Sequence, residues 1–191
     1  ENEQMGLKDP VNPNICEVEF WMQQLETMMR ISVREQIKLS IEDYTQISRC
    51  SWMQKWQSMC VLNGSQFHWT KEMEDSLTKH GTNGLKKMLD LQIARLADMT
   101  VLVRGRLNKQ AKTAIGALTV VDVHAREVTK KLIADNVSSK EEFLWLSQMR
   151  YYWTPGGKSA TTGMPGSVIC RMINAERQYA YEYLGNSSRL V

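Results

Sequence analysis

The stretch Pro155-Gly156-Gly157-Lys158-Ser159 ends like a phosphate-binding loop, in which successive backbone N–H groups wrap phosphate oxygens and a lysine and a hydroxyl complete the cradle. Such a loop also needs a glycine five positions before Gly157, and Tyr152 stands there. The helix that should follow is missing too, because Ala160-Thr161-Thr162-Gly163-Met164-Pro165-Gly166 is loop composition. The stretch reads as a flexible loop between two strands rather than a nucleotide site. His124 lies near Asp122, Arg126 and Glu127, and a buried histidine beside ion partners can serve as a base. It sits mid-helix with no nucleophile nearby in sequence, so the expectation is structural: His124, Arg126 and Asp122 tie one helix to its neighbours.

Four cysteines, Cys16, Cys50, Cys60 and Cys170, form no C-x-x-C pair, and His68, His80 and His124 are scattered among them. That spacing argues against a structural zinc site and for reduced, mostly buried thiols. Trp52, Trp56 and Trp69 could line a ligand cage, but tryptophans at helical spacing read as core. The densest cations are Arg104, Arg106, Lys109 and Lys112, with Lys130 and Lys131 further on. They fit a contact with an acidic surface, or the solvated edge of two helices. Net charge is +3, yet residues 1–100 carry 11 Lys+Arg against 14 Asp+Glu, while residues 101–191 carry 13 against 7. A basic half suits nucleic acid, an acidic protein surface or tubulin as a partner.

The elements behind these residues are mostly helical. Residues 1–13, broken by Pro10 and Pro13, read as a connector. Asn14, with Glu17 three residues on, is placed to cap a helix of about 30 residues and roughly 45 Å, whose inward stripe is Val18, Trp21, Leu25, Met28, Val33, Ile37, Ile41 and Tyr44. A break at 45–49 precedes a segment with Trp52, Trp56 and Met59 on one face, ended by Gly64. Ser65 then caps a helix that Lys79-His80-Gly81 closes. Asn83-Gly84 reads as a turn, followed by a long helix and a kink or short loop within 109–116. A further helix runs to Asp135, and Ser138 with Glu141 forms a capping box for a short one.

Composition changes after residue 148. Val168-Ile169-Cys170-Arg171-Met172-Ile173 is strand-like, Asn174-Ala175 is a turn, and Tyr179, Tyr181 and Tyr183 at every second position suit one face of a second strand. Arg150 to Trp153 supplies a third. The expected fold is mainly α, an elongated antiparallel helical bundle over 14–148 with a small antiparallel hairpin or three-stranded sheet over 149–184 and a flexible loop at 154–167. A chain of 191 residues holds one sizeable core. No apolar run nears the ~20 residues of a membrane span. Without an initiator methionine, a signal peptide or a closing turn after Leu190-Val191, the chain is expected to be a soluble intracellular piece of a longer polypeptide.

Phe143-Leu144-Trp145-Leu146-Ser147-Gln148-Met149-Arg150-Tyr151-Tyr152-Trp153, with Tyr181-Glu182-Tyr183-Leu184-Gly185-Asn186-Ser187-Ser188-Arg189-Leu190-Val191, resembles the end of the linker in dynein heavy chains, where it enters the first AAA+ module. Ala117-Leu118-Thr119-Val120-Val121-Asp122-Val123-His124-Ala125-Arg126 resembles the axonemal branch. The likeness is close over 114–191 and looser over 15–113. It implies a mechanical linker between tail and ATPase ring, with residues 185–191 entering the first module. Leu190 and Val191 would lie against the adenine there, and Tyr179, Tyr181, Tyr183, Leu184, Gly185 and Asn186 would form the joint to the ring.

ATP and magnesium would belong to the parent chain and not to this fragment, which is not expected to be an enzyme. The implied partners are the AAA+ ring of the same chain, touched by Arg104, Arg106, Lys109 and Lys112, and through the parent the microtubule and other dynein chains. Nucleic acid and membrane are not implied, and the implied location is the axoneme of a cilium or flagellum. The alternative from the residues themselves is a non-motor helical interaction module that docks an acidic partner through its basic second half.

Overall fold

Among the described residues, six helices lead into one small sheet. They are α1 (Val18–Asp43), α2 (Arg49–Lys55), α3 (Ser58–His80), α4 (Thr82–Arg104), α5 (Lys109–Ala134) and α6 (Phe143–Leu146), followed by β1 (Arg150–Lys158), β2 (Pro165–Met172) and β3 (Ala175–Gln178). This computed structural model describes residues 3–14, 17–158 and 162–182. Cys16, Ser159, Tyr183, Leu184, Gly185, Asn186, Leu190 and Val191 lie outside them. Among the described residues no helix is long and apolar enough to cross a membrane.

Local chemistry sets the helix ends. Ser48 accepts the Ser51 N–H at the start of α2, and the Asn108 side chain accepts the Ala111 N–H (2.7 Å) at the start of α5. Gly81 separates α3 from α4 at φ +54, a conformation that costs a glycine least. Several expected boundaries move. Asn14 does not cap α1, whose N-cap is Glu17; the Asn14 N–H bonds instead to the Asn12 side chain (2.9 Å), a local turn that competes with a helix start. The capping carboxylate before α6 belongs to Glu142, which accepts the N–H groups of Ser138 and Ser139. The Glu141 carboxylate instead accepts the Ser139 hydroxyl.

Three glycines read as breaks lie inside helices. The helix runs through Gly64 and Ser65 because Gly64 makes room for a neighbour: a Cβ there would meet the Trp52 ring at 2.7 Å. Gly84 sits in the first turn of α4, where a Cβ would meet the Ser76 carbonyl oxygen at 2.5 Å. The chain turns at 105–108 rather than within 109–116, and α5 continues through Gly116. Trp56 caps α2 and Met59 belongs to α3, so the two do not share one helical face.

The core forms three apolar clusters. Trp69, Met73 and Leu77 of α3 meet Leu85 and Met88 of α4, Val128 and Leu132 of α5, and Trp145. Trp52 and Met53 of α2 meet Val61, Met99, Ile115 and Leu118. Val33, Ile37 and Ile41 of α1 meet Cys60, Val168 of β2 and Tyr181. Trp52 and Trp69 therefore fill separate clusters, as core rather than cage. The stripe of α1 is fully buried only from Val33 onward: Trp21, Leu25 and Met28 are half-buried and Val18 is exposed.

The sheet has strand order β1-β2-β3, antiparallel throughout. Its hairpin turn is Ile173-Asn174, one residue earlier than Asn174-Ala175, so Ala175 stands opposite Met172. Strand β3 is thus the charged, exposed run Ala175-Glu176-Arg177-Gln178, and the tyrosines follow it. Strands β1 and β2 also reach into 154–167 as far as Lys158 and Pro165, with a register shift between Thr154 and Lys158. Pro155-Gly156-Gly157-Lys158 is the end of an edge strand, which tolerates a proline.

Candidate functional site

Where the sheet meets α1 and α3, polar groups are buried in an otherwise apolar seam. Arg34 of α1 is 3% exposed. Its Nε donates to the Gly166 carbonyl (2.9 Å) and its Nη2 to the Pro165 carbonyl, while Nη1 pairs with Glu35 (3.1 Å). The guanidinium also lies 5.3 Å from the centre of the Trp153 ring. Burying a charge is costly without compensation, and two carbonyls, a carboxylate and an aromatic face supply it. Gly166 completes the clamp at φ +78, with the Trp153 ring packed against its open side.

A second clamp joins β1 to α3. The Glu74 carboxylate accepts the Tyr152 hydroxyl and the Trp145 Nε1–H (3.3 Å), and Arg150 approaches it at 3.8 Å. Arg150 also donates to the Tyr152 oxygen (3.0 Å). One residue along the strand, the Tyr151 N–H donates to the Thr70 hydroxyl of α3 (3.0 Å). At the far end of the hairpin, the Ile173 N–H donates to the Leu146 carbonyl of α6 (2.7 Å). Ile173 has φ +54, unfavourable for a β-branched residue, and that bond helps to hold it.

Tyr181 is wholly buried at φ +58, so the chain turns inward instead of continuing the strand. Its hydroxyl oxygen accepts the Val168 N–H (2.6 Å) and lies 2.9 Å from the Ser167 hydroxyl. Tyr179 keeps one ladder bond, N–H to the Val168 carbonyl (3.0 Å), and its ring packs edge-on to that of Tyr181 at 5.3 Å. The two tyrosines do meet, but through the turn at Tyr181 rather than through a shared pleat. The other expected joint residues, Tyr183 to Asn186, lie outside the described residues.

Burial favours the neutral form of the thiols and phenols of the seam and of nearby His68. The Cys60 thiol is pushed up to about 12 by desolvation, and Cys170 and Tyr181 are raised for the same reason. Tyr152 is pushed up to about 12, by desolvation first and the neighbouring Glu74 second. His68 is shifted down by burial, with Nε2 bonded to the Ile41 carbonyl (2.9 Å) and its ring stacked on Tyr44. These are properties of a packed joint that binds and orients, in which no thiolate or poised base emerges.

Elsewhere the predicted residues part company. Asp122 does tie α5 to α2, accepting from Arg49 Nη2 (2.7 Å). Arg126 pairs with Glu127 on its own helix and His124 faces solvent, so neither bridges elements. Arg104, Arg106, Lys109 and Lys112 are all exposed around the α4–α5 connection, the first two flanking Gly105. Sequence reasoning missed Arg34, Thr70 and Glu74. Arg34 carried a signal: it falls three residues before Ile37 and seven before Ile41, a charge on the buried stripe.

No family model matches the chain. It is 43% identical over 175 residues, 91% of its length, to Dynein axonemal heavy chain 3 of Mus musculus. Over its whole length it is 36% identical to Dynein axonemal heavy chain 1 of Mus musculus, and over 91% of it 41% identical to Dynein axonemal heavy chain 12 of Homo sapiens. It spans only 4–5% of the length of these relatives.

Proposed function

Because the chain belongs to the axonemal dynein heavy-chain family, we propose that it is the part of the linker that approaches the first AAA+ module, and that it transmits force. The parent is then an ATP- and magnesium-dependent microtubule motor of the axoneme, and the ring of the same chain is the partner. The observation that carries this reading is the seam. Buried Arg34 and half-buried Glu74 lock the sheet onto α1 and α3, as a lever joined to a moving ring requires. Long helices packed on one another provide stiffness, and the sheet gives a hydrogen-bonded attachment. In this reading the segment after Tyr181, including Leu184 to Asn186, crosses to the ring, Leu190 and Val191 lie beside adenine, and Arg104, Arg106, Lys109 and Lys112 meet an acidic surface of the ring.

The test is uncoupling in the parent motor. Arg34→Ala together with Glu74→Gln should slow microtubule gliding well below the slowing of ATP turnover, because the ring still cycles while the lever yields. Gliding and turnover that fall in step, or that both stay at the unmodified level, would show that this seam carries no force.

A further inference from the structure

The outer face of α5 is organised in a way that the packing of this chain does not explain. Lys109, Lys112, Gly116, Val120, Val123, Glu127 and Lys130 recur at steps of three and four, and every one of them is exposed. From Lys112 to Lys130 the stripe spans about 27 Å at the rise of an α-helix. Its ends are cationic and its middle is apolar, with Val120 71% and Val123 36% exposed. The one carboxylate in the row, Glu127, is already paired with Arg126 (2.7 Å) and Lys130 (3.1 Å). The other acid of α5, Asp122, is taken up by Arg49.

Gly116 sharpens the picture. Glycine weakens a helix interior relative to alanine, and the other helical glycines have a reason inside the chain: Gly64 admits the Trp52 ring and Gly84 the Ser76 carbonyl. Around Gly116 a Cβ would meet nothing within 4 Å. The open space over Gly116, between Lys112 and Val120, lets the backbone of something outside the chain approach closely. Charge complementarity gives its sign, and the three-four spacing gives its shape.

We propose that this stripe seats an acidic α-helix of a protein partner. The partner helix carries carboxylates about five turns apart that reach Lys112 and Lys130, and small apolar residues between them that lie over Gly116 and against Val120 and Val123. The proposal needs only the surface of α5 and does not rest on the motor reading, although both use Lys112; Gly116→Leu and Val120→Glu, outside the ring-facing set, separate the two.

The test is fluorescence anisotropy of the chain against a stapled helical peptide of about 20 residues, with glutamates at both ends and alanine and leucine at the centre. A scrambled peptide of the same composition and an unstructured polyglutamate serve as controls. The ordered helix should bind at least about tenfold more tightly than either control. Gly116→Leu should cut its affinity by about tenfold while circular dichroism and thermal melting show a chain at least as stable. Val120→Glu and the pair Lys112→Glu, Lys130→Glu should do likewise. Equal binding of polyglutamate, absence of helix binding, or a Gly116→Leu chain that keeps its affinity within about twofold would each overturn the proposal.

Discussion

Arg34 and the pair Arg104 and Arg106 are the same residue type put to opposite uses. In the seam, one guanidinium is stripped of water and spends its donors on the Pro165 and Gly166 carbonyls. At the α4–α5 corner, two guanidinium groups stand in solvent beside Gly105. A buried cation fixes position, because each donor lost leaves a carbonyl unpaired in a low-dielectric setting. An exposed cation contributes little to folding and keeps its charge for a partner. The seam therefore determines how the sheet sits on the helices, and the corner with the face of α5 determines what the helices can meet.

The contrast breaks first at Arg34. Arg34→Ala should destabilise the chain by about 3 kcal/mol, since it orphans two backbone carbonyls and bares the Trp153 ring; urea unfolding followed by helical circular dichroism checks this. Gly64→Leu should cost about 2–3 kcal/mol by driving a side chain into the Trp52 ring, whereas a leucine at exposed Gly116 should cost nothing, a difference visible in paired melting curves. Tyr181→Phe should cost about 1–2 kcal/mol, because the Val168 N–H loses its acceptor and the Ser167 hydroxyl its partner. Arg104→Glu with Arg106→Glu should change stability by less than about 0.5 kcal/mol.

Alkali offers a finer probe of the seam. Tyr152 is held up to about 12 in the fold, above the ordinary tyrosine value near 10. The unfolded chain therefore loses this proton first. Stability from Tyr152 is complete below about pH 10 and is lost as pH rises through about 12. Tyr152→Phe should flatten part of that decline, and the other groups raised by burial, Tyr151, Tyr179, Tyr181 and Cys60 among them, should retain the rest. Unfolding midpoints from about pH 9 to about pH 12, spanning the free and folded tyrosine values, compare the two proteins.

Much of the helical body was legible because its signals are local. The close of α3 at Gly81 and the inward spacing of Val33, Ile37 and Ile41 follow from chemistry within one or two turns. Glycine misled where its reason was distant: the Trp52 ring that requires Gly64 lies on another helix. The tyrosine alternation misled for a similar reason. Register was set by the Ile173-Asn174 turn, and burial of Tyr181 then outweighed the pleat. The seam itself was least legible. Thr70 and Glu74 are ordinary polar residues of α3 until β1, some 80 positions later, delivers the Tyr151 N–H and the Tyr152 hydroxyl to them. Only Arg34, a charge on an apolar stripe, carried a signal, and the sequence reading passed over it.

The central claim is that sheet and helices form one mechanical unit, and native-state hydrogen exchange tests it most directly. The Tyr151 amide, bonded to Thr70, and the Val168 amide, bonded to Tyr181, report the seam, while amides near Met73 report the core of α3. One unit predicts that all of them open with the same free energy, equal to that of global unfolding, and that Arg34→Ala lowers them together. Exchange at Tyr151 and Val168 through a cheaper opening that leaves Met73 protected would contradict the claim, because the sheet would then swing free of the helices it is held to drive.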